Sequence, residues 1–210
     1  MTGQTLREHI REASERDWLK RKATADHRIK LLGITGKARS GKDTAADFLV
    51  ANGWVRYRFA DPLKAAIRVM FGLTEVHTDG VYKERPIPWL GVSPRQLMQT
   101  LGTEWGREMI RDDIWLRVAD KILIDVEDQG AIGVVIPDVR FPNEAAWIRN
   151  HGGTVVELKR TAAEQVHAHV SEAGIDEPDH SYVNDASRDK LRQYITTLAQ
   201  TMEPRSRHGD

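Results

Sequence analysis

Gly36-Lys37-Ala38-Arg39-Ser40-Gly41-Lys42-Asp43-Thr44 follows the pattern G-x-x-x-x-G-K, with an aspartate where a serine or threonine usually follows the lysine and a hydroxyl one step later. The residues before it, Lys30-Leu-Leu-Gly-Ile-Thr35, form a short apolar run of the kind a buried parallel strand needs. The residues after it, Asp43-Thr-Ala-Ala-Asp-Phe-Leu-Val50, carry apolar side chains at helical spacing. Strand, glycine loop and helix in that order are the context in which such a loop cradles phosphate. Gly36 and Gly41 open backbone angles closed to other residues, so successive N–H groups can converge on phosphate oxygens at the positive end of the helix. Lys42 is then expected to reach the β- and γ-phosphates. The competing interpretation is a glycine-rich turn that happens to precede a lysine.

Working outward, the bulk composition narrows the class. A chain of 210 residues suits one domain with small insertions. Lys+Arg and Asp+Glu both number 31, which argues against a protein that coats nucleic acid or a membrane surface but leaves room for a local basic cleft. There is no cysteine, hence no disulfide framework, thiolate nucleophile or cysteine-held metal. No apolar run is long enough to span a bilayer, and the start of the chain lacks a signal peptide's apolar core. The expectation is a soluble cytoplasmic protein with no stable nucleic-acid partner and no membrane.

Residues 1–29 alternate acid and base around a partial apolar face of Leu6, Ile10, Trp18 and Leu19, a solvated helix ahead of the core. Asn52-Gly53 ends the first helix, and Trp54 to Ala60 alternates as a second strand. Asp61-Pro62 predicts an N-cap and first helical residue, with the helix stopping near Gly72. Residues 72–92 are rich in breakers and carry Lys83, Glu84 and Arg85; a functional loop and a solvated charge run both remain open. Ser93-Pro94 opens another helix, ending near Gly102 with Glu104 to Arg107 continuing the segment, and Arg95 and Gln99 share one of its faces. That face suits a phosphate and a base edge, or plain surface. Asp112-Asp113 caps a further helix containing Trp115.

Ala131 to Pro137 is the most apolar strand and is expected at the sheet's centre. Asp138 follows at its carboxyl end, where ligands bind in open α/β sheets and a carboxylate can orient hydrated magnesium or a nucleophile; a turn cap is the alternative. Arg140, two residues on, can clamp a phosphate bidentately. Thr154 to Leu158 is another strand, followed by Lys159-Arg160. Residues 161–180 are polar; His167 and His169 invite a metal, but without companion ligands a mobile flap fits them better. A short strand, Ser181 to Val183, precedes a last helix capped from Asn184-Asp185 and Ser187, and Glu203 to Asp210 is a disordered tail. This alternation predicts an α/β/α sandwich on a mostly parallel sheet.

Several segments occur together and in order: the glycine loop, Arg95-Gln-Leu-Met-Gln-Thr-Leu-Gly-Thr103, Pro137-Asp-Val-Arg140 with Asn143-Glu144, Gly152-Gly-Thr-Val155 and His169-Val-Ser-Glu-Ala-Gly174. On these, the chain from about residue 30 to about residue 200 resembles the deoxynucleoside monophosphate kinases of bacteriophages. The resemblance implies a P-loop kinase domain over residues 30–202, with a monophosphate-binding region at 61–115 and a lid at 160–180. It implies transfer of the γ-phosphoryl group of ATP, with Mg2+, to a deoxynucleoside monophosphate, in a homodimer and, if phage-encoded, in the host cytoplasm. Lys42, Arg39 and Arg140, with Arg160 from the lid, are the implied charge-neutralising residues. Arg95 and Gln99 match the segment that meets the monophosphate and its base, where Trp115 is expected to stack, and Asn184 and Asp185 match the loop near the adenine. Asp43 would bind the metal directly or through water, or Thr44 would serve an α-phosphate. Gly-Lys-Asp also occurs in animal phosphomevalonate kinases, so a small-metabolite kinase is the alternative enzyme. A non-catalytic nucleotide binder is the third reading; the Asp138 and Arg140 pair speaks against it.

Overall fold

The computed structural model describes residues 29–161, 175 and 177–204. Strand β1 (Lys30–Thr35) runs into the glycine loop and helix α1 (Lys42–Val50). Then come β2 (Val55–Arg56), α2 (Asp61–Phe71), a short α3 (Glu75–Thr78) and α4 (Pro94–Gln99). The last of these passes without a break into a wide-turned π-helix, Thr100–Ile110. The rest is α5 (Ile114–Asp128), β3 (Gly133–Ile136), α6 (Pro142–Asn150), β4 (Thr154–Lys159), β5 (His180–Val183) and α7 (Arg188–Thr201).

All strand pairings are parallel, in the order β2-β3-β1-β4-β5. Side-chain alternation along β1 divides the core in two. Leu32 and Ile34 face α1 and α7, meeting Ala45, Leu49, Leu191 and Ile195. Leu31 faces the other way, with Val134 and Ile136, toward Leu123 of α5 and Trp147 and Ile148 of α6. These two cores are the three-layer α/β/α sandwich of a P-loop protein. A third core, Leu63, Ile67, Met98 and Trp115, lies among the helices inserted between β2 and β3. The chain leaves β1 for β2 on one side and leaves β3 for β4 on the other, so the connections diverge where the carboxyl ends of β1 and β3 lie together. Open α/β sheets bind ligands at such a point.

The structure corrects four expectations. β3 is interior, but β1 holds the centre of the sheet. β2 covers Val55–Arg56 rather than residues 54–60. The alternation there still predicts burial, since Tyr57 and Phe59 enter the core, but the amides of Phe59 and Ala60 are taken by the Asp138 carboxylate and leave the ladder. The cap of α2 is Ala60; Asp61 is its first residue, and its carboxylate accepts the Arg58 amide instead. The helix expected to end near Gly102, with Glu104 to Arg107 continuing the segment, instead runs unbroken to Ile110 as the π-helix. There the Gly102 carbonyl accepts from the Trp115 indole and the Arg107 guanidinium, while Gly106 lets the Trp115 ring approach to where a Cβ would be 2.9 Å away. The Ser93 cap holds, its hydroxyl accepting the Gln96 amide. Residues 1–28 lie outside the described residues, as do most of the lid, the two histidines and nearly all of the tail.

Candidate active site

The glycine loop is built as much by close approach as by backbone angle. Gly36 has φ 131° and Gly41 φ 104°. A Cβ on Gly36 would sit 2.2 Å from the Leu158 carbonyl, and one on Gly41 2.4 Å from the Asn184 amide. Arg39 alone among the described non-glycine residues has positive φ, 62°. That left-handed geometry costs an L-residue about 1–2 kcal/mol, strain of a kind concentrated at functional sites. The Lys42 ammonium donates to the carbonyls of Gly36 and Lys37, each at 2.6 Å. The buried Asn184 donates to the Ser40 carbonyl at 2.9 Å and so braces the loop from the end of β5. Asp185 accepts from the amide and hydroxyl of Thr161.

A cavity of about 440 Å³ opens between this loop and the helical insertion. Of the residues predicted from sequence, it brings together Ala38, Arg39, Lys42, Asp43, Arg95, Gln99, Trp115, Asp138 and Arg140. Thr44, Asn184, Asp185 and Arg160 do not line it; Arg160 is exposed beyond β4. Trp115 is buried, and its indole N–H is taken by Gly102, so it forms wall rather than a free stacking plate.

Sequence reasoning missed much of the wall. Arg58, Lys64 and Arg107 line the cavity, and Lys83, noted only as part of a charged loop, joins them. Eight cationic side chains face four carboxylates there. Lys64 pairs with Asp79, and Arg95 with Glu84. Burial would raise the Asp79 carboxyl, but hydrogen bonds from Lys64 and Thr78 outweigh it and hold the acid below its ordinary range. Burial, with Arg95, Lys64 and Arg140 around it, pushes the Lys83 ammonium below its ordinary value. Such mutual repulsion is relieved when an anion enters.

On the opposite wall both Asp138 oxygens accept backbone amides, from Phe59 at 3.1 Å and Ala60 at 3.2 Å. Burial pushes its carboxyl up, against the pull of Arg140 and the two amides. Glu144 is almost fully buried and accepts from Arg107 at 2.8 Å and from the amides of Arg140 and Phe141. Burial first, then Asp138, lifts its carboxyl to about 7. The Arg107 guanidinium also lies over the Phe141 ring, 4.2 Å from its centroid. The loop before α6 thus acquires a fixed shape that presents Arg140.

A phosphate-binding loop facing a cation-lined second compartment is the arrangement of an enzyme that passes a phosphoryl group between two phosphorylated molecules. The family model described as deoxynucleotide monophosphate kinase matches residues 30–87 and 88–195. The chain belongs to the deoxynucleotide monophosphate kinase family. An Acanthamoeba polyphaga mimivirus protein whose name assigns it to these kinases is 33% identical over 156 residues, 68% of this chain and 80% of its own. The deoxynucleotide monophosphate kinases of Enterobacteria phage T4 and Escherichia phage RB69 are 25% and 23% identical, covering 78% and 81% of this chain and 95% and 99% of theirs. Among solved structures, dephospho-CoA kinase from Campylobacter jejuni aligns over 84% of this chain and 98% of its own at 12% identity and TM-score 0.44. This kinase has no described helix long and apolar enough to cross a membrane, and its described residues contain no group of three metal-ligating side chains.

Proposed function

We propose that this kinase transfers the γ-phosphoryl group of ATP to the phosphate of a deoxynucleoside 5′-monophosphate, giving the diphosphate and ADP. The observation that carries the reading is the single cavity in which the glycine loop faces Lys64, Lys83, Arg95 and Arg140. A protein that only held ATP would have no use for this second set of cations. Phosphoryl transfer asks for positioning and charge neutralisation more than covalent help. Lys42 and the loop amides hold the donor's phosphates. Arg95 and Arg140 hold the acceptor phosphate, and Gln99, one turn after Arg95, faces its base.

The site fits an Mg2+ carried largely by the substrate phosphates and water, with the Asp43 carboxylate reaching it through water rather than as a direct ligand. The Asp43 side chain is largely exposed at the cavity, and the Thr44 hydroxyl is its neighbour in α1. When bound, the ion neutralises charge on the phosphate oxygens. Lid closure by residues 160–180, with Arg160, would exclude water that otherwise competes as acceptor. A homodimer accords with the apolar surface exposed by Val69, Met70 and Trp89.

A coupled assay for ADP, run with each deoxy- and ribonucleoside monophosphate, tests the reading. ADP release only when a deoxynucleoside monophosphate is present is the expected result. Release with phosphomevalonate alone, or ATP binding with no acceptor-dependent release, overturns it.

A further inference from the structure

Resting on that phosphoryl-transfer reading, we infer that Arg58 is a catalytic cation for the transferring phosphoryl group, and that Asp43 is the residue that positions it. The sequence marks Asp43 as a departure from the usual loop. The structure shows what that departure touches. Asp43 and Asp47 lie one turn apart on α1, on one face. Arg56 and Arg58 lie two residues apart where the chain leaves the sheet at β2, also on one face. The two faces meet: Arg56 pairs with Asp47, and the Arg58 guanidinium donates to Asp43 Oδ1 at 2.8 Å.

The main chain of Arg58 is held as firmly as its side chain. Its amide donates to Asp61 Oδ2 at 3.1 Å, and the next two amides are the ones held by Asp138. Three carboxylates from three separate parts of the fold therefore fix one arginine and the turn that carries it. Stability gives little reason for this. The Asp43 side chain is 72% exposed, and ion pairs at such sites contribute about 0–1 kcal/mol. Asp138 runs against stability, since its carboxyl is buried at an energetic cost. Preorganisation of a cation gives a sufficient reason. Donors already aimed at the site of developing charge need no reorganisation during reaction. Arg58 lines the cavity that Lys42 and Arg140 share.

In the step, an acceptor-phosphate oxygen bonds to the γ-phosphorus as the bond from that phosphorus to the β–γ bridging oxygen breaks. The electron pair leaves with ADP. Arg58 exchanges no proton; it stabilises negative charge on the equatorial oxygens, and its guanidinium stays protonated throughout. Asp43 keeps the guanidinium in register and is not the primary magnesium ligand.

The test compares wild type with Arg58→Ala, Arg58→Lys, Asp43→Ala and the Asp43→Ala/Arg58→Ala double variant, in steady-state turnover against ATP, deoxynucleoside monophosphate and Mg2+. Far-UV circular dichroism and ADP affinity report folding and an intact loop. Arg58→Ala is expected to lower kcat about 10²- to 10³-fold with each KM within about threefold, and Arg58→Lys to recover part of the loss. Asp43→Ala is expected to lower kcat about tenfold without moving the half-saturating Mg2+ concentration, and the double variant to match Arg58→Ala. A folded Arg58→Ala with kcat within about threefold of wild type, or one that raises KM instead, overturns the role of Arg58. An Asp43→Ala that shifts the Mg2+ requirement and multiplies with Arg58→Ala overturns the role of Asp43. A wild type that binds ADP yet turns over no deoxynucleoside monophosphate overturns the proposed function instead.

Discussion

The two walls of the cavity are made in different ways. The wall proposed for the phosphoryl donor is one continuous stretch, β1, loop and α1, and it is built mostly from backbone: amides, two glycines packed against a carbonyl and a side-chain amide, and a lysine folded onto the loop's own carbonyls. The wall proposed for the acceptor is gathered from α2, the loop after it, α4, the π-helix and the turn after β3, and it presents side-chain charge. In the proposed reaction, backbone geometry suits the invariant part of the substrate pair, the triphosphate. Side chains held in ion pairs can be varied one at a time, which suits the part that must be told apart.

The sharpest way to break this contrast is at Lys42. Lys42→Ala should lower turnover by at least about 10³-fold, a loss typical of a transition-state charge contact, while the denaturation midpoint stays near wild type. A folded variant with undiminished turnover removes the donor wall from the mechanism.

Glu144 probes the fixed turn behind Arg140. A carboxyl lifted from 4.5 to about 7 in the fold contributes stability that is fully present below about pH 4.5 and is lost as pH rises through about 7. Between about pH 5 and pH 8, wild type should therefore lose up to about 3 kcal/mol relative to Glu144→Gln, at ~1.4 kcal/mol per pKa unit. Parallel pH profiles in urea titrations would show that the group ionises normally.

Arg95→Ala addresses the acceptor wall alone. The KM for the monophosphate should rise about 10- to 100-fold, the size of a lost charge-assisted hydrogen bond, while the KM for ATP stays within about twofold. Equal change in both would erase the division into two walls. The smallest effect belongs to Ser93→Ala, which removes the cap of the helix carrying Arg95 and Gln99. It should cost about 1 kcal/mol in urea unfolding, with Ser93→Gly costing only a few tenths.

The same division explains what could be read in the sequence. The donor wall is local, so β1, the loop, α1 and the Ser93-Pro94 cap were legible from neighbouring residues. Burial of Tyr57 and Phe59 was legible too, but the end of β2 was not, because the competitor for its amides lies at Asp138. Lys64, Arg107 and Arg58 look like ordinary surface cations. Their partners Asp79, Glu144 and Asp43 stand 15, 37 and 15 residues away. The unbroken π-helix was not legible, because Gly102 reads locally as the neighbourhood of a helix end, whereas its carbonyl is satisfied by the side chains of Arg107 and Trp115.

Asn184 carries a consequence for the order in which the molecule is made. The carbonyl it braces belongs to Ser40, 144 positions earlier. While the chain is still on the ribosome, the glycine loop emerges before its brace and stays unbraced until β5 and the turn after it have been synthesised and have paired with β4. The loop therefore gains its brace only once the chain has been made through Asn184, and a nascent chain halted before that residue keeps the loop unsupported.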